Sequence, residues 1–113
     1  MAASMSKEFI GLLRERITIE RPVNLRNPMG LQQAGWEPVC RCLAAIAPDS
    51  VGPESEAQAL SAMQRFRVTI RWREGVALDQ RILWADRTLM IRQLINDPRE
   101  RERITMRCEE VRR

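Results

Sequence analysis

From Phe66 to Trp72 the chain reads Phe-Arg-Val-Thr-Ile-Arg-Trp, an apolar side chain at every second position with Arg67, Thr69 and Arg71 between. A period of two sends these sets to opposite faces of a strand. One face needs a core; the other, extended by Arg65 and Arg73, carries four arginines. The same rhythm runs through Ile17 and Ile19, alternating with Arg16, Thr18 and Glu20, and Pro22 is expected to stop the pairing. It returns in Arg81–Trp84, Thr88–Ile95 and Glu102–Glu109, separated by turns at "REGVALD", "ADR" and "NDPRE". Another strand is expected from about Trp36 to Ala47, with Pro38 implying an edge or a bulge near its start and Pro48 ending it.

Three stretches break the rhythm. Residues 1–8, "MAASMSKE", read as a flexible start, after which Phe9, Leu12 and Leu13 have the spacing of one helical turn. Residues 24–35, "NLRNPMGLQQAG", combine turn-forming dipeptides with little periodicity and are expected to form a long loop. Residues 53–63 suit a short helix: Gly52 and Pro53 at its start, Ser55 with Gln58 as a capping box, and Ala57, Leu60 and Met63 on one stripe. The expected fold is mainly β: a small antiparallel β-barrel of about six strands, with one inserted short helix and a long loop, forming a single domain over residues 1–113.

Composition narrows the chemistry. A chain of 113 residues buries roughly two thirds of its unfolded surface, enough for a core without staples. No apolar run approaches the roughly 18 residues of a membrane span, and no h-region with a cleavage site precedes the first strand, so a soluble, unexported chain is expected, with no membrane partner. Cys40, Cys42 and Cys108 are odd in number, and in an extended strand Cys40 and Cys42 point the same way too far apart for a good disulfide. Three reduced thiols are expected, as small half-buried apolar side chains. The absence of histidine removes Ser-His-Asp and Cys-His nucleophile pairs, and leaves too few ligands for a structural zinc. With no phosphate-binding or hydrolase motif either, the expectation is a protein that is not an enzyme, without cofactor, metal or small-molecule substrate.

The net charge of +4 is uneven. Residues 1–64 carry six basic and seven acidic side chains, residues 65–113 thirteen and eight. Arg65, Arg67, Arg71 and Arg73, with Arg103 and Arg107 on the outward face of the last strand, have three uses: tracking phosphates, pairing with acids such as Glu102 and Glu109 on a solvated surface, or meeting carboxylates of another subunit. Phe66, Val68, Ile70 and Trp72 lie on the opposite face, with Trp84, Ile104, Met106 and Cys108 placed on matching inward faces. A single-strand-binding platform interleaves exposed aromatics with basic residues on one surface, so core packing is the favoured role for these aromatics. A small nucleic-acid-binding β-barrel stays as the alternative.

In order and spacing, "IGLLRERITIERP", "AAIAP" and "FRVTIRWREGVALDQRILWADRTLMIRQLINDPRERERITMRCEEV" resemble the head-tail joining proteins of tailed bacteriophages, also called head closure or stopper proteins. The resemblance spans Ile10 to Val111. Its most specific pieces are the Arg14-x-Arg16-Ile17-x-Ile19 strand, the "RWREGV" turn, "DQRILWADRTLMI" and the charged "NDPRERE" turn. It implies a structural protein of a virion neck or phage-like particle, made in the bacterial cytoplasm. Such a protein forms a ring beneath the portal or an adaptor ring, extends or closes the DNA channel after packaging, and presents a surface to a tail protein. Double-stranded DNA passes such a ring without sequence recognition. Ala45 and Ala47 depart from the charged residues that relatives carry there, which leaves adaptor and stopper subtypes both open.

A closed ring of identical copies needs two unlike patches that meet heterologously. The expected patches are the inserted helix with its acidic approach, Asp49, Glu54 and Glu56, and the arginine face, Arg65, Arg67, Arg71 and Arg73. Leu25, Met29 and Leu31 give the long loop more apolar content than a solvated loop needs, and are the expected contact to a neighbouring ring or the tail.

Overall fold

The computed structural model describes residues 11–26, 30, 32–49, 64–95, 99 and 101–111. The expected flexible start 1–8 and inserted helix 53–63, with Glu54 and Glu56, lie outside these residues. Six strands are present: β1 (Glu15–Arg26), β2 (Gln32–Pro48), β3 (Arg65–Arg71), β4 (Arg81–Trp84), β5 (Arg87–Ile95) and β6 (Arg103–Glu110). All neighbours run antiparallel. In the order β1-β2-β3-β6-β5-β4, with β4 returning to β1, the sheet closes on itself as a barrel and leaves no strand unpaired along its whole length.

The two-residue rhythm decides what faces inward. In β3, Phe66, Val68 and Ile70 are buried while Arg65, Arg67 and Arg71 are exposed. In β6, Ile104, Met106 and Cys108 are buried in the same alternation. These join Ile17, Ile19, Ala44, Ile82, Leu89 and Ile91 in one core. Each fully buried Ile or Leu contributes roughly 1.5–3 kcal/mol. Trp72 lies one residue past β3, half-buried against that core, its backbone N–H bonded to the Glu102 carbonyl at 3.0 Å. Trp84 meets Phe66 edge to face at 5.5 Å, and its Nε1 donates to Glu15 Oε2 at 3.3 Å. The polar edge of the indole keeps Trp84 only half-buried, although the alternation pointed it inward.

The largest departure from expectation is the segment 24–35. Pro22 does not end β1, and β2 starts at Gln32, not Trp36: Pro22 pairs with Trp36, Val23 with Gly35, and the ladder continues to Arg26 opposite Gln32. The long loop is therefore mostly a β-hairpin. A two-stranded ribbon holds a proline wherever its missing N–H faces away from the partner strand, so the proline rule for closed sheets fails here. Along β2, Ile19 pairs with Cys40 and Glu20 with Pro38, leaving Val39 as the extra residue of a bulge. Pro38 thus marks a bulge, one of its two expected meanings. Bulges bend and twist a strand, and this one lies where the ribbon leaves the closed sheet. β4 pairs with β1 over Ile17–Glu20 and β3 with β2 over Ala44–Pro48. Beyond them, Arg21–Arg26 and Gln32–Glu37 pair only with each other among the described residues. At about 3.4 Å per residue, six residues make an arm of roughly 20 Å.

Candidate functional site

Three features stand out from the closed sheet: the outer arginine face, the hairpin arm, and a groove where β3 ends.

On the arginine face, the β3–β6 register sets Arg67 opposite Arg107 and Arg71 opposite Arg103. Like charges directly opposite destabilise a sheet unless an anion separates them. Asp49 is that anion for the first pair. The chain leaves β2 after Pro48, the Asp49 N–H bonds to the Arg65 carbonyl at 2.9 Å, and the carboxylate, only 4% exposed, sits 3.5 Å from both Arg67 Nη2 and Arg107 Nε. Arg107 Nε is buried with no full hydrogen bond, so this ion pair is its compensation. Glu102 lies 3.6 Å from Arg103. Glu109, opposite Arg65 in register, accepts at 2.9 Å from Arg92, the extra residue of a second bulge between Ile91 and Gln93. Among the described residues, Arg65 and Arg71 form no ion pair. Of the seven residues expected at a subunit contact, the structure brings Asp49 and Arg67 together within one chain, leaves Arg65 and Arg71 outward, and turns Arg73 toward two thiols. The Asp49 contact could not be read from the sequence, because it depends on the direction in which the chain leaves β2.

Arg81 holds the root of the arm. Its guanidinium lies over the Trp36 ring at 4.2 Å while its Nε donates to Glu20 Oε1 at 2.7 Å. One step outward, Arg21 pairs with Glu37. Leu25 belongs to β1 on this arm, whereas Met29 and Leu31 lie outside the described residues.

The groove, about 430 Å³, is lined by Leu13, Cys42, Leu43, Arg71, Trp72 and Arg73. Arg73 is placed by the turn that follows Trp72. Gly75 adopts φ +95°, a conformation open to glycine, and a Cβ there would stand 3.4 Å from Val39 Cγ1. The buried Gln80 clamps the turn: its Nε2 donates to the Gly75 carbonyl at 2.7 Å and its Oε1 accepts from the Ala77 N–H at 3.0 Å. Cys40 and Cys42, two residues apart on β2, both interact with Arg73 and with each other. The Cys42 side chain and the Arg73 charge draw the Cys40 thiol down to about 6. The same proton-sharing and burial push Cys42 upward. Cys108, sealed in the core, is raised to about 12 by burial. All three cysteines are free. Among the described residues, no group of three or more His, Cys, Asp or Glu side chains is placed to hold a metal ion.

Phe66, the aromatic at the head of the arginine-rich strand, is buried, so β3 presents its guanidinium groups without an exposed aromatic between them. This is a charged outer face over an aliphatic core, with an arm reaching beyond it.

Comparison with known proteins bears on the same architecture. The structure resembles the solution structure of protein SF1141 from Shigella flexneri 2a, with a TM-score of 0.65 and 27% identity, covering 89% of this chain and 95% of that one. It also resembles a chain of the virion of a native gene transfer agent particle, with a TM-score of 0.61 and 17% identity, covering 88% and 96%. No curated protein matches the sequence. The phage head completion protein model matches residues 10–111, which take in all six strands, the arm and the arginine face, and the chain belongs to that family.

Proposed function

We propose that this protein is a neck component of a phage or phage-like particle, which assembles as a ring between the portal or adaptor and the tail and closes or extends the DNA channel after packaging. The observation that carries this reading is the family match across residues 10–111. The likeness to a gene transfer agent virion chain, with coverage above four fifths on both sides, adds a fold neighbour from a particle.

Physical features of the chain suit the role. The closed sheet is a rigid body with its backbone bonds largely satisfied internally, so assembly rests on side chains and on the arm. Arg65 and Arg71 point outward from β3 without a carboxylate partner among the described residues, and they suit carboxylates on the next copy, with Glu54 and Glu56 as candidate partners. Asp49 and Arg67 serve the fold first. Charge complementarity of this kind sets orientation and encounter more than affinity. The arm, including Leu25 and the stretch with Met29 and Leu31, is the contact proposed for the neighbouring ring or the tail.

Shortening the arm tests this without touching the closed sheet. Removing residues 24–34 and joining Val23 to Gly35 through a two-residue turn leaves every β1–β4 and β2–β3 pair in place. Particles carrying this variant should package DNA, then lose it, and lack tails in electron micrographs. Particles that keep their genome and carry tails normally would exclude the role proposed for the arm; the same result with the whole gene removed would exclude the neck role. Direct nucleic-acid binding is the competing outcome: the isolated chain would then bind duplex DNA with an affinity that falls steeply as salt rises.

A further inference from the structure

We propose that the groove at the end of β3 seats residues 54–63 of the next copy in the ring, with Glu56 on Arg71 and Arg73 and Leu60 on the apolar wall. The inference rests on the neck reading for the ring itself and names the contact that builds it.

The groove exists because β3 leaves the sheet early. β3 pairs with β2 only over Ala44–Pro48, so Cys42 and Leu43 lie on a length of β2 that β3 no longer covers, and the chain passes them as Arg71, Trp72 and Arg73. The result is a recess of about 430 Å³, open to solvent, with two guanidinium side chains beside a wall of Leu13, Leu43 and Trp72. Leu43 is 47% exposed, a large apolar side chain left in water. Arg101 lies over the Trp72 ring at 5.1 Å and brings a third positive charge to the recess. Among the described residues, neither Arg71 nor Arg73 forms an ion pair with a carboxylate. A fitting occupant brings both negative charge and apolar surface.

One stretch of this chain has that chemistry. Residues 42–64 hold no basic side chain, and within them Glu54 and Glu56 are followed by Leu60 and Met63. The helix that the sequence pattern predicts over 53–63 puts Glu56, Leu60 and Met63 at i, i+4 and i+7, on one face. A carboxylate one turn ahead of two apolar side chains matches guanidinium groups set beside an apolar wall. Arginine and carboxylate pair through two parallel hydrogen bonds, which orients the occupant as well as attracting it.

Chain length decides that the occupant comes from another copy. The stretch leaves the barrel at Asp49 and returns at Arg65, and the Asp49 N–H bonds to the Arg65 carbonyl at 2.9 Å. Both anchors therefore lie at the start of β3. Trp72, at the groove, is seven residues further on, about 23 Å away at the rise of a strand. Leu60 is five residues from Arg65, so a fully extended chain carries it about 17 Å, and Met63 about 7 Å. Neither fills the groove of its own barrel. With the occupant anchored at one end of β3 and the groove at the other, each copy offers both halves of a contact that repeats from copy to copy, the heterologous kind that a ring requires.

The test places one cysteine on each side of the contact, in particles assembled with the full chain. Leu43→Cys with Leu60→Cys, oxidised by copper phenanthroline, should give a ladder of disulfide-linked dimers and larger multimers on a denaturing gel, mapped by mass spectrometry to the two introduced positions. Leu43→Cys with Gln58→Cys should link much less, because position 58 lies on the opposite face of the predicted helix. Charge is read separately. Arg73→Glu and Glu56→Arg should each lower the yield of tailed, genome-filled particles about tenfold, and the two together should restore part of it. Circular dichroism and urea midpoints of the isolated variants establish that each is folded. A chain that is present in the particle but gives no ladder, links only within one copy, or shows no recovery in the double charge variant overturns the groove contact while the neck reading stands. Absence of the parent chain from purified particles overturns the neck reading and this contact with it.

Discussion

Arg67 and Arg107 face each other across the β3–β6 ladder, and the buried carboxylate of Asp49 lies 3.5 Å from each. One anion thus lets two strands carry like charges at the same rung. Its strength comes from placement, because Asp49 is nearly sealed while both arginines remain partly exposed.

Neutralising that anion exposes the repulsion it masks. Asp49→Asn should cost about 2 kcal/mol, as expected when a buried partner of a charge pair is removed. Replacing Arg67 with methionine in the same chain should recover part of the loss, because the remaining amide then faces one guanidinium. Urea denaturation of the two single variants and the double variant measures this as a coupling. Losses that simply add would mean that Asp49 acts only through its backbone bond to Arg65.

The β4–β5 turn carries a local strain that is easily relieved. Ala85 adopts φ 53°, a left-handed conformation unfavourable for a residue with a Cβ. Ala85→Gly removes that cost and adds unfolded-chain entropy in return, for a net gain of about 0.5 kcal/mol. A higher thermal midpoint, with the same urea slope, is the expected observation. A drop would mean that the alanine methyl packs against its neighbours more than it strains the turn.

The strands after residue 65 were legible because their core positions alternate without interruption: Phe66, Val68 and Ile70, then Ile104, Met106 and Cys108, all read inward and are inward. The arm was not legible for a physical reason. Pro22, Gly30 and Gly35 carry turn chemistry, and the apolar alternation of this ribbon is too short to betray it, Val23 and Leu25 on one strand and Ala34 and Trp36 on the other, so residues 24–26 and 32–35 read as loop. Trp72 read as the last inward residue of β3, but the strand stops at Arg71 and the indole closes the end of the core from just outside it. The candidate site was legible only as types of residue. Four arginines on one face were visible in the period; which of them Asp49 occupies, and which reaches Cys40, depends on the exits from β2 and β3.

Arg81 couples the arm to the closed sheet through two bonds of different kind, a stack on Trp36 and an ion pair with Glu20. The fork and the flat face are both needed, and lysine supplies neither as well. Arg81→Lys should therefore cost about 1 kcal/mol, with the loss concentrated in the arm. Hydrogen exchange reads this directly: protection at Val23 and Gly35, which face each other on the arm, should fall several-fold, while amides of Val68 and Met106 keep theirs. A uniform loss across the sheet would show that Arg81 supports the core and not the arm.

Cys108 makes stability depend on pH in a direction that can be worked out. Burial raises its thiol from an ordinary value of 9.0 to about 12. Between these values the unfolded chain has released the proton and the folded chain still holds it, so the folded state binds more protons and loses stability as pH rises. The contribution is complete below pH 9 and declines above it by up to about 1.4 kcal/mol per pH unit. Cys108→Ala lowers stability at pH 7 by leaving a small void, yet it lacks this decline. The difference in urea stability between the parent chain and the variant should narrow from pH 9 to pH 10.5, with any contribution of Cys42 common to both and cancelling. A difference that stays constant over that range would mean that the Cys108 sulfur ionises in the folded chain as easily as in the unfolded one, which a side chain 1% exposed in an aliphatic core should not do.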